Sequence, residues 1–337
     1  MGLFNFQKVE SRMAHLNHEY INKAQPLLSI CIPTFNRAYI LEKTLHSIVS
    51  QKIFEDTNEI EVIVSDNCSN DNTFEIVNKY IKKFDNKIFY YKNEINITDL
   101  NFEKVLSLGK GEYLKLNNDT LIHTKESLND ILNLIKLNIT EKPQLFFTSG
   151  WLNSKENISG NGIDTFIFNA SFLTTWIGAF GIWKSDFLTI NNFSERRDLQ
   201  LVQTDILFKL INKKNAYIID NKKYFYTIES KNKGGYNFLQ VFLLNYTFLL
   251  KEQLAANKLQ HKTYHLETKR ILLRQIAHWI AKTKIQNTKY TFIMENTFSI
   301  IFKFFKKRPL LLIIFLIKYN LYLMYFFIKK SILKIDI

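Results

Sequence analysis

Apolar residues in the first half of the chain follow two alternating periods. Leu27–Pro33 (LLSICIP) is a short, nearly continuous apolar run closed by a proline, the pattern of a strand buried on both faces. Residues 37–51 then carry Ile40, Leu41, Leu45, Ile48 and Val49 at helical spacing. The alternation repeats. Strands are predicted over Glu61–Ser65, Lys87–Tyr91, Glu112–Leu116 and Leu145–Thr148, and helices over 73–84, 99–109 and 124–137. This spacing predicts βαβ units, and hence an α/β fold with a mostly parallel sheet flanked by helices.

In such sheets ligands bind beyond the carboxyl ends of the strands. Three polar clusters are predicted at that edge: Pro33-Thr34-Phe35-Asn36-Arg37, Asp66-Asn67-Cys68-Ser69-Asn70-Asp71 and Asn117-Asn118-Asp119-Thr120. The second half is less regular. Trp176–Trp183 (WIGAFGIW) is aromatic and punctuated by glycine, and a helix is predicted over 203–213. Residues 230–236 form a basic glycine segment, two helices are expected over 237–257 and 263–285, and the stretch from 290 is apolar, aromatic and basic. This divides the chain into an N-terminal extension (1–26), a ligand-binding half of the sheet domain (27–140), a second half of that domain (141–236) and a helical basic tail (237–337).

Composition narrows the class. With 337 residues, 46% of them hydrophobic, the chain can bury a full core in one or two domains. Four Pro and ten Gly argue against long disordered linkers. Cys31 and Cys68 form neither a CxxC pair nor a disulfide framework, which fits a reducing compartment. MGLFNFQKVE lacks an apolar signal-peptide core. The formal net charge of +14 is unevenly placed: residues 1–230 hold 26 Lys and Arg against 27 Asp and Glu, and residues 231–337 hold 19 against 4. The basic end is expected to seek a polyanion, either nucleic acid or an anionic membrane.

The strand-end clusters resemble a known family. Ser29-Ile30-Cys31-Ile32-Pro33-Thr34-Phe35-Asn36-Arg37 resembles the opening strand and P-T-[YF]-N-R turn of family 2 glycosyltransferases. Val62–Thr73 resembles that family's S-D-[ND]-x-S-x-D-x-T segment. Asn93, Asn96 and Asn101, then Gly111-Glu112-Tyr113-Leu114, fall where the family places its N-x-G and G-[EK]-Y segments. Two positions depart from the pattern. Asn117-Asn118-Asp119 stands where the family has an acidic D-x-D, and Thr98 stands in place of the glycine of N-x-G. An amide oxygen is a poorer ligand for a hard cation than a carboxylate.

The resemblance implies a GT-A-like domain that takes a nucleotide-sugar donor, a UDP-sugar, and transfers the sugar with inversion to a glycan or lipid-linked acceptor in surface polysaccharide or lipopolysaccharide synthesis. It places the nucleobase on Asp66, flanked by Thr34 and the backbone at Pro33. Asn36, Arg37, Asn96 and Asn118 complete the nucleotide-sugar-binding set. A divalent cation, Mn²⁺ or Mg²⁺, would sit on Asp119 with Asn117 and stabilise charge on the leaving diphosphate. The general base belongs to the second half, among Asp186, Glu195, Asp198 and Asp205. Asp205 lies in Gln203-Thr204-Asp205, which resembles a Q-x-D element of one branch of the family; an Asp opening a helix is also an N-cap. Trp176 and Trp183 stack on sugars or belong to the core. Lys233-Gly234-Gly235-Tyr236 is read as a lid or acceptor loop, or as an ordinary turn. His261 and His265 have the four-residue spacing of metal ligands but no acidic or thiolate companions, so a solvated helix face is expected.

Residues 310–328 form a 19-residue apolar stretch with Lys318 near its centre. A central Lys costs about 2.5–3.5 kcal/mol on insertion and each Leu, Ile or Phe returns about 0.3–0.6 kcal/mol, so the balance is near zero. Lys303, Lys306, Lys307 and Arg308 precede the stretch, and Lys329, Lys330 and Lys334 follow it. Basic residues at both ends and in the middle suit a helix lying in the membrane interface; the alternative is that these apolar residues pack on the catalytic domain as core helices. The expected location is the cytoplasmic face of the inner membrane, peripherally bound. No nucleic-acid motif accompanies the tail, so no nucleic-acid partner is expected. The rival reading is a catalytically silent nucleotide- or sugar-binding membrane scaffold on the same fold.

Overall fold

The computed structural model describes residues 25–152, 157–230, 233–286 and 289–331. The chain divides into two compact units. The first runs to Trp151 and adds Gly181–Asn191 and Asn221–Ile228; the second holds Leu152–Phe180, Asn192–Asp220 and Glu229–Ile337.

The first unit is built on a five-stranded sheet. Strands β1 (Leu28–Thr34), β2 (Ile60–Asp66), β3 (Ile88–Lys92) and β4 (Tyr113–Leu116) are joined by an edge strand, Gly181–Trp183, in the order β3-β2-β1-β4-edge. β1, β2, β3 and β4 pair in parallel, and the edge strand pairs antiparallel to β4. β1 and β2 are buried along nearly their whole length, as their continuous apolar runs require. The helix Ala38–Val49 buries Leu41, Leu45 and Ile48; Ser127–Leu137 buries Leu128, Ile131, Leu132 and Ile135. Gly111 explains one motif glycine: a Cβ there would lie 2.7 Å from the backbone N of Ser29 in β1.

The α/β class and the mostly parallel sheet are as the periodicity predicts. The fifth strand is not. Gln144–Phe147 forms a strand, but the edge of the five-stranded sheet is taken by Gly181–Trp183, from the glycine-punctuated aromatic stretch. Trp183 faces Tyr113 across this pair, with ring centroids 5.0 Å apart, and donates its indole N–H to the Pro143 carbonyl at 2.7 Å. It is a core residue, so the sugar-stacking reading of Trp183 is corrected. Leu121–His123, also unforeseen, pairs antiparallel with Phe225–Thr227. Both Cys31 and Cys68 are free thiols.

The second unit is mostly helical. Its helices include Ile163–Ala170, Val202–Lys214, Tyr246–Ala255, His261–Arg270, Ala277–Ile285, Thr297–Phe304 and Pro309–Ser331. Helical turns of the wider π type, Gln240–Asn245 and Ile271–Ile276, lie within the two helical stretches predicted at 237–257 and 263–285. Lys233–Asn237 is a strand, parallel to Tyr290–Ile293, not a loop. Gly234 has φ 140°, and a Cβ there would lie 2.5 Å from the Phe292 backbone N. Close strand pairing accounts for this glycine, which corrects the lid and turn readings.

The helix Pro309–Ser331 has two apolar faces. Leu311, Phe315, Tyr319 and Phe326 are buried, against Phe298 and His278 among others. Leu310, Ile313, Ile317, Leu321, Met324 and Phe327 are each more than half exposed. By length and composition alone the helix is able to cross a bilayer.

Candidate active site

The parallel register sets Thr34 at the end of β1 directly beside Asp66 at the end of β2. The loops that follow are stitched together. Asn67 N–H donates to the Thr34 carbonyl at 2.9 Å, and Asn36 N–H to Ser69 Oγ at 2.8 Å. Asn36 sits in the left-handed region (φ 52°), and its Oδ1 accepts from Asn70 N–H at 2.8 Å. Asp71 Oδ2 accepts from Ala38 N–H at 2.9 Å and so caps the helix that Arg37 leads into. Pro33 lies one residue earlier in β1, opposite Ser65.

Asp66 is 1% exposed. Its Oδ1 accepts from Ser69 N–H at 2.8 Å, an Asx-type turn, and its Oδ2 accepts from the Tyr90 hydroxyl at 2.5 Å. Each oxygen retains a second lone pair. Asn96 belongs to an amide network behind this loop. Its Oδ1 accepts from Asn67 Nδ2 at 2.7 Å and from Thr98 N–H at 2.9 Å, while Asn67 Oδ1 accepts from Ile97 N–H at 2.8 Å. Thr98, in the glycine position of the motif, has φ 52°.

The third cluster closes onto the first. Asp119 is 2% exposed; its Oδ2 accepts from Thr34 Oγ1 at 2.9 Å and its Oδ1 from Arg37 Nη1 at 3.0 Å. Its backbone carbonyl accepts from Thr44 Oγ1 at 2.7 Å. Burial raises the Asp119 carboxyl above its ordinary range, against the lowering effect of Arg37 and of the hydrogen bond from Thr34. Asn117 is fully buried, and its Oδ1 lies 2.9 Å from His123 Nε2. Burial pushes His123 down to about 3, so the imidazole is neutral; the network assigns Nε2–H as donor to Asn117 and Nδ1 as acceptor from Ser127 Oγ at 3.0 Å. Asn118 Oδ1 is buried with no hydrogen-bond partner among the described residues.

In this arrangement the segment offers a divalent cation no carboxylate oxygen free of hydrogen bonds. The single carboxylate of the segment is engaged on both oxygens, and the Asn117 amide oxygen is turned onto His123. The segment's one side-chain oxygen without a hydrogen bond is the neutral amide oxygen Asn118 Oδ1, a poorer ligand for a hard cation than a carboxylate. No group of three or more His, Cys, Asp or Glu able to hold a metal occurs among the described residues, and His261 and His265 are exposed on their helix.

Tyr90, Thr44, Lys115 and His123 are additions to the predicted set. Lys115 alone left a trace in the sequence, a charged residue inside an apolar strand. It is buried, burial lowers its ammonium to about 7, and it donates to the Leu116 carbonyl at 2.8 Å.

Asp205 lies in the second unit, inside the helix Val202–Lys214, whose N-cap is Leu201. It is therefore not the cap. Its Oδ1 is 3.1 Å from Arg196 Nη1 and its Oδ2 is 2.8 Å from Lys209 Nζ. Arg196 also grips Glu252 with two hydrogen bonds, at 2.8 and 3.1 Å. Of the other candidate bases, Asp186 is buried in the first unit, and Glu195 and Asp198 are exposed in the second.

Residues 29–140 match the family model described as glycosyl transferase family 2. The abequosyltransferase RfbV of Salmonella typhimurium is 40% identical over 88 residues, 26% of this chain and 26% of that protein. The GalNAc(5)-diNAcBac-PP-undecaprenol beta-1,3-glucosyltransferase of Campylobacter jejuni is 29% identical over 180 residues, 50% of this chain and 55% of that protein. The chain thus spans about a quarter and about a half of these two curated relatives. Among solved structures, the mannosyltransferase PcManGT of Pyrobaculum calidifontis, in complex with GDP-Man and Mn²⁺, aligns over 97% of this chain and 96% of its own at TM-score 0.50 and 12% identity. S. aureus TarS 1–349 in complex with UDP-GlcNAc aligns over 74% and 72% at TM-score 0.51 and 19% identity. These two likenesses are of fold. Sequence match and strand-end motifs agree in likening residues 29–140 to family 2 glycosyltransferases.

Proposed function

We propose that the protein transfers one sugar from a nucleoside-diphosphate sugar, a UDP-sugar, to a glycan or lipid-linked acceptor in surface-polysaccharide synthesis, with inversion at the anomeric carbon. The observation that carries this reading is the meeting of three strand ends at one sheet edge, with Thr34 beside Asp66 and hydrogen-bonded to Asp119. The TarS complex with UDP-GlcNAc and the undecaprenol-linked acceptor in the name of the Campylobacter relative support the donor and acceptor classes.

In this reading Asp66 accepts hydrogen bonds from the nucleobase, and Pro33, Thr34 and Asn36 line the base and ribose. Asn118 offers its unpaired amide oxygen to a donor hydroxyl. An acceptor hydroxyl attacks the anomeric carbon, the bond to the diphosphate oxygen breaks, and the hydroxyl proton passes to a carboxylate. Asp205 is our assignment for that carboxylate, on its match to the Q-x-D element. Asp205→Asn is expected to abolish turnover and leave nucleotide binding intact.

The protein acts in this reading at the cytoplasmic face of the inner membrane. The exposed apolar face of Pro309–Ser331 enters the lipid interface, and Lys303, Lys306, Lys307 and Lys330, all exposed, meet anionic headgroups, each adding about 1 kcal/mol.

The test is calorimetric titration with UDP, GDP and CDP of wild type and Asp66→Ala. Binding of UDP that is lost in the variant supports the donor reading. Failure of all three nucleotides to bind wild type would overturn it.

A further inference from the structure

We infer that this chain holds the donor diphosphate with the Arg37 guanidinium in place of a divalent cation. The inference rests on the nucleotide-sugar reading above and concerns the charge that neutralises its diphosphate.

Three observations converge on Arg37. Asp119, the one carboxylate of Asn117-Asn118-Asp119, already faces a cation. Its Oδ1 takes Arg37 Nη1 at 3.0 Å and its Oδ2 takes Thr34 Oγ1 at 2.9 Å. A metal ion on Asp119 would have to share a buried carboxylate with a guanidinium and a hydroxyl donor. Second, Asn117 is held away from any ligand role. Its Oδ1 is bound by His123 Nε2 at 2.9 Å, and His123 is backed by Ser127 Oγ, which in turn accepts from Gln51 Nε2 at 3.1 Å. Reorienting Asn117 would break this buried chain. Third, Arg37 is buried on one side only. Its side chain is 35% exposed while Asp119 is 2% exposed. A guanidinium carries five N–H donors. One is spent on Asp119, and the rest form a fork of the kind that matches phosphate oxygens.

The pair therefore divides the labour. Asp119 and Thr34 fix the position of Arg37, and Arg37 supplies positive charge at the carboxyl edge of the sheet. A monovalent guanidinium neutralises less charge than Mn²⁺ but needs no assembly of ligands, and this segment has two amides where an acidic ligand set would stand.

The experiment is calorimetric titration of UDP and of uridine into the full chain, in EDTA and in Mn²⁺, with direct titration of Mn²⁺ alone. Wild type should bind UDP equally well in both media and take up no Mn²⁺. Arg37→Met should weaken UDP by about 10- to 100-fold, the worth of a charge-assisted hydrogen bond, and leave uridine binding unchanged. Arg37→Met leaves Asp119 buried and unpaired, so the double variant Arg37→Met/Asp119→Asn, which removes both charges, serves as a second test. It should show the same loss for UDP, and retained uridine binding reports an intact fold. UDP affinity that rises about tenfold or more with Mn²⁺, or UDP binding by the double variant equal to wild type, would overturn the inference and leave the donor reading standing. No binding of any nucleotide in either medium would remove both.

Discussion

The Tyr90 hydroxyl donates to Asp66 Oδ2 at 2.5 Å, from β3 to the end of β2. Asp66 is thus held from two sides, since Ser69 N–H closes on its other oxygen at 2.8 Å. Partial burial and the adjoining carboxylate push the Tyr90 phenol well up, so it stays a donor at any physiological pH. Tyr90→Phe removes one neutral donor to a charged acceptor and is expected to weaken UDP about 3- to 10-fold, while Asp66→Ala abolishes measurable binding. Calorimetry on the two variants separates positioning from contact. Equal losses would show that Tyr90 touches the nucleotide itself.

Thr98 predicts a stabilising substitution. It is β-branched, holds φ 52°, and stands where the family motif has glycine. Such a conformation costs about 1–3 kcal/mol, and glycine costs about 0.5–1 kcal/mol more than other residues to order. Thr98→Gly should therefore raise stability by about 1 kcal/mol, read from the urea midpoint at unchanged slope. A lower midpoint would mean that Thr98 side-chain packing outweighs the strain.

Glu267 makes the second unit sensitive to pH. It is 1% exposed, accepts from Ser171 Oγ at 2.7 Å, and burial pushes its carboxyl up to about 7. In the unfolded chain the group titrates near 4.3. The folded state keeps the proton where the unfolded state has released it, so the contribution is full below about 4.3 and is lost as pH rises through 7. Glu267→Gln removes this dependence. Relative to the variant, wild type should lose of the order of 3 kcal/mol between pH 4 and pH 8, followed by urea unfolding at each pH. A constant difference across that range would refute the assignment.

The two faces of Pro309–Ser331 are separable by mutation. Ile317→Glu with Leu321→Glu changes exposed positions and should abolish co-sedimentation with anionic vesicles at unchanged thermal stability. Phe315→Ala opens a cavity beside Phe298 and Tyr319 and should cost about 3–5 kcal/mol of stability. Vesicle binding that survives the double substitution would exclude this face as the lipid contact.

Local order determined what periodicity is able to report. Apolar runs marked β1, β2, β3 and β4, helical spacing marked the helices between them, and the alternation required a parallel sheet with polar clusters at one edge. Those properties depend on neighbours within a few residues, which is the range a pattern spans. The tertiary structure decided the rest. Trp183 closed the sheet as a core residue because it pairs with Tyr113, 70 positions earlier in the chain, on the open edge of β4. Gly234 served strand pairing because Phe292 came within reach of it. Arg37 met Asp119 across 82 residues, and His123 fixed the amide of Asn117, so the one carboxylate of Asn117-Asn118-Asp119 is hydrogen-bonded within the fold. Hydrogen bonds and ion pairs act over about 3 Å in space at any separation along the chain, so their partners are set only once the sheet has brought the strand ends together.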